Sequence, residues 1–212
     1  MFTGIVRELG KVRDIRRAGS AYRLTIDAPV AAREAHTGDS VAINGVCLTA
    51  VSVQKSAITF DVVEETVRKT GLASLASGDR INVEGSLKVG DQLGGHFVLG
   101  HIDCLGKVKR VSKRAQDYAI EVRIPGEYAH LIVPKGAVAV DGVSLTVGDV
   151  GKDAFALYII PHTLEATTLK DKRCGDTVNI EFDVMGKYAA RYKELGRPSK
   201  VSDTFLKEHG FS

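Results

Sequence analysis

Two stretches of the chain present related small side chains, mostly hydroxyl or thiol, in the same order. Ser40, Cys47, Thr49 and Thr66 are matched, 97 residues further on, by Ala137, Ser144, Thr146 and Thr163, with Lys135 and His162 adding donors only in the second stretch. Hydroxyl and thiol groups beside free backbone groups at a barrel mouth suit a planar, heteroatom-rich ligand. One threonine on a strand is accounted for by β-propensity alone. Recurrence weakens that explanation, because packing does not require both Thr66 and Thr163 to keep a hydroxyl. Two related sites brought face to face would bind two identical molecules, a physical basis for a reaction of one substrate with itself.

Other chemistries fit poorly. Gly142-Val143-Ser144-Leu145-Thr146 lacks the final glycine of a nucleophile elbow and follows a hairpin turn instead of preceding a helix. Gly94-Gly95-His96 and Gly100-His101 lack the lysine of a phosphate loop, and no GxGxxG joins a strand to a helix. The six histidines include no pair at helical ligand spacing, which argues against a metal site. Three cysteines without CxxC spacing argue against a disulfide framework and a structural zinc, so reduced thiols are expected.

Composition narrows the class further. The 212 residues are 44% hydrophobic and 26% charged, as in ordinary globular chains, and a net charge of +3 is too small and too evenly mixed for a nucleic-acid footprint. The longest apolar run, 154–160, is far short of the roughly 20 residues a membrane-spanning helix needs. The N-terminus lacks the basic and apolar stretches of a secretory signal, so a cytoplasmic address is expected. The 22 glycines point to many tight turns, hence short strands.

The elements that must position these groups are set by an internal repeat. Val41-Ala42-Ile43-Asn44-Gly45-Val46-Cys47-Leu48-Thr49 returns as Val138-Ala139-Val140-Asp141-Gly142-Val143-Ser144-Leu145-Thr146, identical at six of nine positions. The offset of 97 also pairs Gly78-Asp79 with Gly175-Asp176 and Ile81-Asn82-Val83-Glu84 with Val178-Asn179-Ile180-Glu181. At an offset of 96, Leu9-Gly10-Lys11-Val12 pairs with Leu105-Gly106-Lys107-Val108, and Tyr22 with Tyr118, so one residue is inserted between the two registers. Two tandem domains follow, 1–95 and 96–184, with a tail over 185–212. Residues 23–27, 119–123, 40–43, 47–52, 57–62 and 80–84 read as strands by alternation and Val, Ile and Thr content. Asn44-Gly45 and Asp141-Gly142 are type I′ hairpin signals. About six strands per copy predict an all-β chain of two small closed antiparallel barrels, with a short helix after Thr66 and after Thr163. Met185, Tyr188, Ala189, Tyr192 and Leu195 lie on one helix face that Gly196 and Pro198 stop, and a second short helix is expected over 203–209. That apolar face must pack on a barrel of the same chain or on another subunit.

The motifs Met1-Phe2-Thr3-Gly4-Ile5-Val6, Asn44-Gly45-Val46-Cys47-Leu48-Thr49, Gly95-His96 with Gly100-His101-Ile102, Asp141-Gly142-Val143-Ser144-Leu145-Thr146 and Asn179-Ile180-Glu181-Phe182-Asp183 occur in order along the chain. Together they resemble the riboflavin synthase family, alpha-chain type, over essentially the whole length. Ala50 departs from the commonest pattern, which continues with a branched residue. The resemblance implies two six-stranded Greek-key barrels, a C-terminal helix that makes a homotrimer, and a cytoplasmic transferase of riboflavin biosynthesis. The implied reaction is dismutation of two 6,7-dimethyl-8-ribityllumazine molecules. A four-carbon unit passes between them, giving riboflavin and 5-amino-6-(ribitylamino)uracil, with no metal and no organic cofactor. Association with lumazine synthase would be a further partnership.

Carried over by position, the resemblance gives a first site of Gly4, Ile5, Val6, Ser40, Cys47, Leu48, Thr49, Asp61, Val62, Val63, Glu64, Glu65 and Thr66. It gives a second of Gly100, His101, Ile102, Lys135, Ser144, Leu145, Thr146, Tyr158, Ile159, Ile160, Pro161, His162 and Thr163. His101 would carry the proton near neutral pH, Cys47 or Ser40 would position the nucleophile, and Asp183 would act on protons from a neighbouring subunit. Cys47 against Ser144, Asn44 against Asp141 and Glu65 against His162 make the copies unequal, as a donor site and an acceptor site must be. The competing class is a non-catalytic lumazine or flavin carrier resembling the same family. Such carriers tend to lose the glycine-histidine pair and the second Ser-Leu-Thr, both of which stand here as His96, His101 and residues 144–146. A flavin-dependent oxidoreductase would need a nicotinamide-binding βαβ unit that the sequence lacks.

Overall fold

The alternating runs of each repeat fold into a closed antiparallel barrel. The computed structural model describes residues 1–114, 117–195 and 207–208. In the first barrel β1 (Glu8–Ala18), β2 (Ala21–Asp27), β3 (Ser40–Ile43), β4 (Val46–Gln54), β5 (Ala57–Val63) and β6 (Arg80–Gly85) pair in the order β1-β2-β5-β4-β3-β6, and β6 returns to β1. The second repeats this with β7 (Cys104–Arg114), β8 (Asp117–Arg123), β9 (Ala137–Val140), β10 (Val143–Val150), β11 (Ala154–Ile159) and β12 (Thr177–Phe182). Closure leaves no unpaired edge. Every second residue points inward: Leu24, Ile26, Ile58, Phe60, Ile81 and Val83 fill one core, and Ile120, Val122, Phe155, Leu157, Val178 and Ile180 the other.

The repeats differ where the registers part. Between β2 and β3 the first copy makes a helix, α1 (Pro29–Glu34), whereas the second, one residue longer, makes a 3-10 turn over Gly126–Leu131. The helices expected after Thr66 and Thr163 instead contain them, as α2 (Glu64–Lys69) and α3 (Pro161–Ala166). Two acidic residues open α2 and Pro161 opens α3, both favourable in a first turn. The hydroxyls of Thr70 and Thr167 donate back to the carbonyls of Thr66 and Thr163, each at 2.7 Å, where these helices end.

Asn44 and Gly45 take φ of 46° and 81°, and Asp141 and Gly142 46° and 78°, the left-handed pair a type I′ turn requires. The two turns meet back to back. A Cβ on Gly45 would lie 2.7 Å from the Gly142 nitrogen, and one on Gly142 2.6 Å from the Gly45 nitrogen, so only glycine permits this barrel-to-barrel contact. Around it the Asn82 amide donates to the Asp141 carbonyl and the Asn179 amide to the Asn44 carbonyl, both at 2.8 Å.

The tail helix α4 (Val184–Glu194) is capped by Asp183, whose carboxylate accepts from the Met185 amide at 3.0 Å. Among the described residues nothing covers its apolar stripe. Met185, Tyr188, Tyr192 and Leu195 are each 65–73% exposed. Gly196, Pro198 and the helix expected over 203–209 lie outside the described residues, apart from Lys207 and Glu208, which are helical. No described helix is long and apolar enough to cross a membrane.

Candidate functional site

The outer face of β3, β4 and β5 carries the first set of polar groups. Ser40 lies opposite Thr49 in the β3–β4 pair, and Cys47, two residues before Thr49, points to the same side. Asp61 on β5 sits opposite Arg23 on β2, and the guanidinium binds it through two bonds of 2.8 and 3.1 Å. That contact holds the Asp61 carboxyl below the usual carboxylate range and keeps it ionised. Glu64, Glu65 and Thr66 follow on α2. Leu48 and Val62 are buried in the barrel core, so only their backbones can reach a ligand.

The second barrel repeats the frame with different groups. Thr146 is opposite Ala137, Ser144 takes the place of Cys47, and Tyr158 takes that of Asp61, its hydroxyl donating to Asp149 at 2.6 Å. Its register partner is Ala119, where the first barrel has Arg23. Lys135 holds φ of 63° at the position where the first copy has Gly38 at 97°. A left-handed lysine costs about 1–3 kcal/mol, the kind of local strain that clusters at binding sites. Ile159 is buried, leaving Tyr158 and Ile160 exposed, with Pro161, His162 and Thr163 on α3 beyond. Cavities of about 410 Å³ beside Ser40, Thr3 and Glu84, and about 540 Å³ beside Tyr158, Asp149 and Ala119, flank the two patches.

The structure regroups the expected residues. Gly4, Ile5 and Val6 do not complete the first site: the Gly4 carbonyl accepts from the Ser144 amide at 2.8 Å and Val6 packs on the second core. Gly100, His101 and Ile102 do not complete the second: the Gly100 carbonyl accepts from the Cys47 amide at 2.9 Å and Ile102 packs on the first core. The exchange is made where Phe2 and Val98 pair as an antiparallel bridge between the barrels. Both segments lie so close that a Cβ on Gly4 would meet Ser144 at 2.6 Å and one on Gly100 would meet Cys47 at 2.5 Å. Ser40, Cys47 and the His101 segment therefore gather on one barrel, whereas Asp183 belongs to the other, where its charge reaches His96.

The comparisons agree with this architecture. The lumazine binding domain family matches residues 3–86 and 99–183, one copy per barrel. A riboflavin synthase of Bacillus subtilis (strain 168) is 37% identical over 215 residues, covering 100% of both chains. The chain belongs to the riboflavin synthase family. A riboflavin synthase of Mycobacterium bovis is 41% identical over 195 residues, 90% of this chain and 97% of that one. Among solved structures, LumP complexed with 6,7-dimethyl-8-(1'-D-ribityl) lumazine superposes with a TM-score of 0.77 at 22% identity, over 85% of this chain and 98% of that chain. At that identity the superposition shows the shared fold alone.

Within this riboflavin synthase fold three buried groups were assigned to neither site from the sequence, although the Gly95-His96 motif had singled out His96. His96 is 9% exposed, its Nδ1 lies 2.7 Å from the Ser144 hydroxyl, and burial lowers its pKa, so the ring is neutral at physiological pH. Its Nε2 is buried and has no hydrogen-bond partner among the described residues. Glu84 and Glu181, 6% and 1% exposed, hold the crossing segments, and burial raises both their pKa values. A charged residue recurring at the same place inside two apolar strands was the available signal. Burial pushes the Cys104 thiol up to about 12, which keeps it protonated at neutral pH.

Proposed function

We propose that the chain catalyses dismutation of two 6,7-dimethyl-8-ribityllumazine molecules, one on each barrel, to riboflavin and 5-amino-6-(ribitylamino)uracil. The supporting observation is the pair of patches in equivalent strand registers with different chemical dressing: Cys47 and the Arg23–Asp61 ion pair on one, Ser144 against neutral His96 with left-handed Lys135 on the other. One substrate in two environments is what transfer from a donor to an identical acceptor requires. The four-carbon unit leaves one ring and completes the other, so atoms and electrons balance without an external oxidant. Catalysis is then largely orientation of two rings, with proton transfer to and from an activated ring methyl by positioned groups.

The first site is Ser40, Cys47, Leu48, Thr49, residues 61–66 and the Gly100, His101 and Ile102 segment, with His101 carrying the proton and Ser40 or Cys47 positioning the nucleophile. The second is Lys135, residues 144–146 and 158–163, and the Gly4, Ile5 and Val6 segment, with Asp183 near His96. The same reading assigns a cytoplasmic enzyme, assembled as a homotrimer through the uncovered stripe of α4, with lumazine synthase as an associated protein. Purified protein incubated with 6,7-dimethyl-8-ribityllumazine and no other additive should form one riboflavin for every two substrate molecules consumed. Tight binding without product would convert the enzyme into a carrier.

A further inference from the structure

Glu84 sits on β6 of the first barrel, but its hydrogen bonds go to the segment that leaves that barrel. Oε1 accepts from the Thr3 amide and the Thr3 hydroxyl, both at 2.7 Å, and Oε2 accepts from the Gly4 amide at 3.0 Å. The carbonyl of the same Gly4 then accepts from Ser144 on the second barrel. Glu181 on β12 does the converse: its oxygens accept from the Leu99 and Gly100 amides at 2.7 and 2.9 Å, and the Gly100 carbonyl accepts from Cys47 on the first barrel. A buried carboxylate is costly, and an apolar residue would close either strand more cheaply. Here the cost recurs in both copies and is offset by charge-assisted bonds to one crossing segment in each.

We infer that the two glutamates are positioning residues that act crosswise: Glu84 of the first barrel organises the substrate patch of the second, and Glu181 of the second organises that of the first. Each patch is thereby assembled from both barrels, and neither is complete on the barrel that carries most of it. The asymmetry is graded. Glu84 receives three donors and Glu181 two, because Leu99 stands where the first copy has Thr3.

The inference rests on the reading of these patches as lumazine sites, and its test separates the two. In the full-length protein, hydrogen exchange is followed at the Ser144 and Cys47 amides, first without ligand and then with increasing 6,7-dimethyl-8-ribityllumazine. Glu84→Gln, which sets an NH2 group against one of the amide donors, should speed Ser144 exchange and raise the lumazine concentration protecting Ser144, each by about tenfold or more, with Cys47 within twofold of wild type. Glu181→Gln should do the reverse. If the Gln variants do not fold, Glu84→Asp and Glu181→Asp, which keep both acceptor oxygens on a shorter stem, should give the same crossed pattern at smaller size. Effects confined to each glutamate's own barrel, or equal at both amides, would overturn the inference. Absence of lumazine protection in the wild-type protein would overturn the substrate reading alone, since the ligand-free exchange pattern still decides the crossed clamp.

Discussion

The two barrels share a frame and diverge on one face. In the interior, Ala50 faces Phe60 in the first barrel, and Val147 faces Leu157 at the same place in the second. A small residue beside a large one has been exchanged for two of middle size, which preserves core volume. Ala50 is 1% exposed and so belongs to packing, not to the site. On the patch no such compensation holds: Arg23–Asp61 becomes Ala119 with Tyr158, Gly38 becomes Lys135, and Cys47 becomes Ser144 with a histidine against it. Even the histidines come from different sides of the crossing glycine. His101 follows Gly100 toward the first patch, whereas Ile5 follows Gly4 toward the second and His96 is supplied by the connection between the barrels. Duplication has kept what closes a barrel and altered what a ligand would meet.

The largest effect should come from another unmatched pair. Asp141, its side chain 4% exposed, is paired with Lys172 at 2.6 Å, where the first barrel has uncharged Asn44 and Leu75. Lys172→Met leaves a buried carboxylate without its cation and should destabilise the protein by about 3 kcal/mol in denaturant titration. Asp141→Asn with Lys172→Leu, importing the first-barrel solution, should recover most of that loss. Next in size, Ala50→Val should overpack the first core by about 1–3 kcal/mol, and Phe60→Leu in the same chain should relieve it. Additive losses in that double-mutant cycle would refute the volume exchange.

A third contrast titrates. His96 stays neutral in the fold because burial lowers its pKa, while in the unfolded chain it takes up a proton near pH 6.5. Its contribution is therefore present above that pH and lost as pH falls toward the folded value, with a slope of at most about 1.4 kcal/mol per pH unit. His96→Gln should flatten that part of the stability profile and lower turnover. Smallest, Lys135→Gly should remove the left-handed strain and stabilise the fold by about 1 kcal/mol while raising KM. A stabilised variant with unchanged KM would remove Lys135 from the site.

Much of this was legible in the sequence because it is local. Strand alternation, the Asn44-Gly45 and Asp141-Gly142 turns and the tail stripe all follow from neighbouring residues, and the repeat supplied the barrel count. The long first strands were not read as strands, since β1 and β7 carry charges across their exposed ends. The crossing of the two segments was not legible either. Spacing places Gly4 with its own repeat, and only the Phe2–Val98 bridge with the Glu84 and Glu181 bonds carries it to the other barrel.

The most direct measurement of the central claim is the number and equality of substrate sites on the intact chain. Titration with 6,7-dimethyl-8-ribityllumazine, followed by absorbance and calorimetry under conditions where turnover is slow, should show two molecules per chain with unequal affinities, Cys47→Ala weakening one phase and Ser144→Ala the other. A single molecule per chain, or two equivalent ones weakened alike by either substitution, would contradict the account.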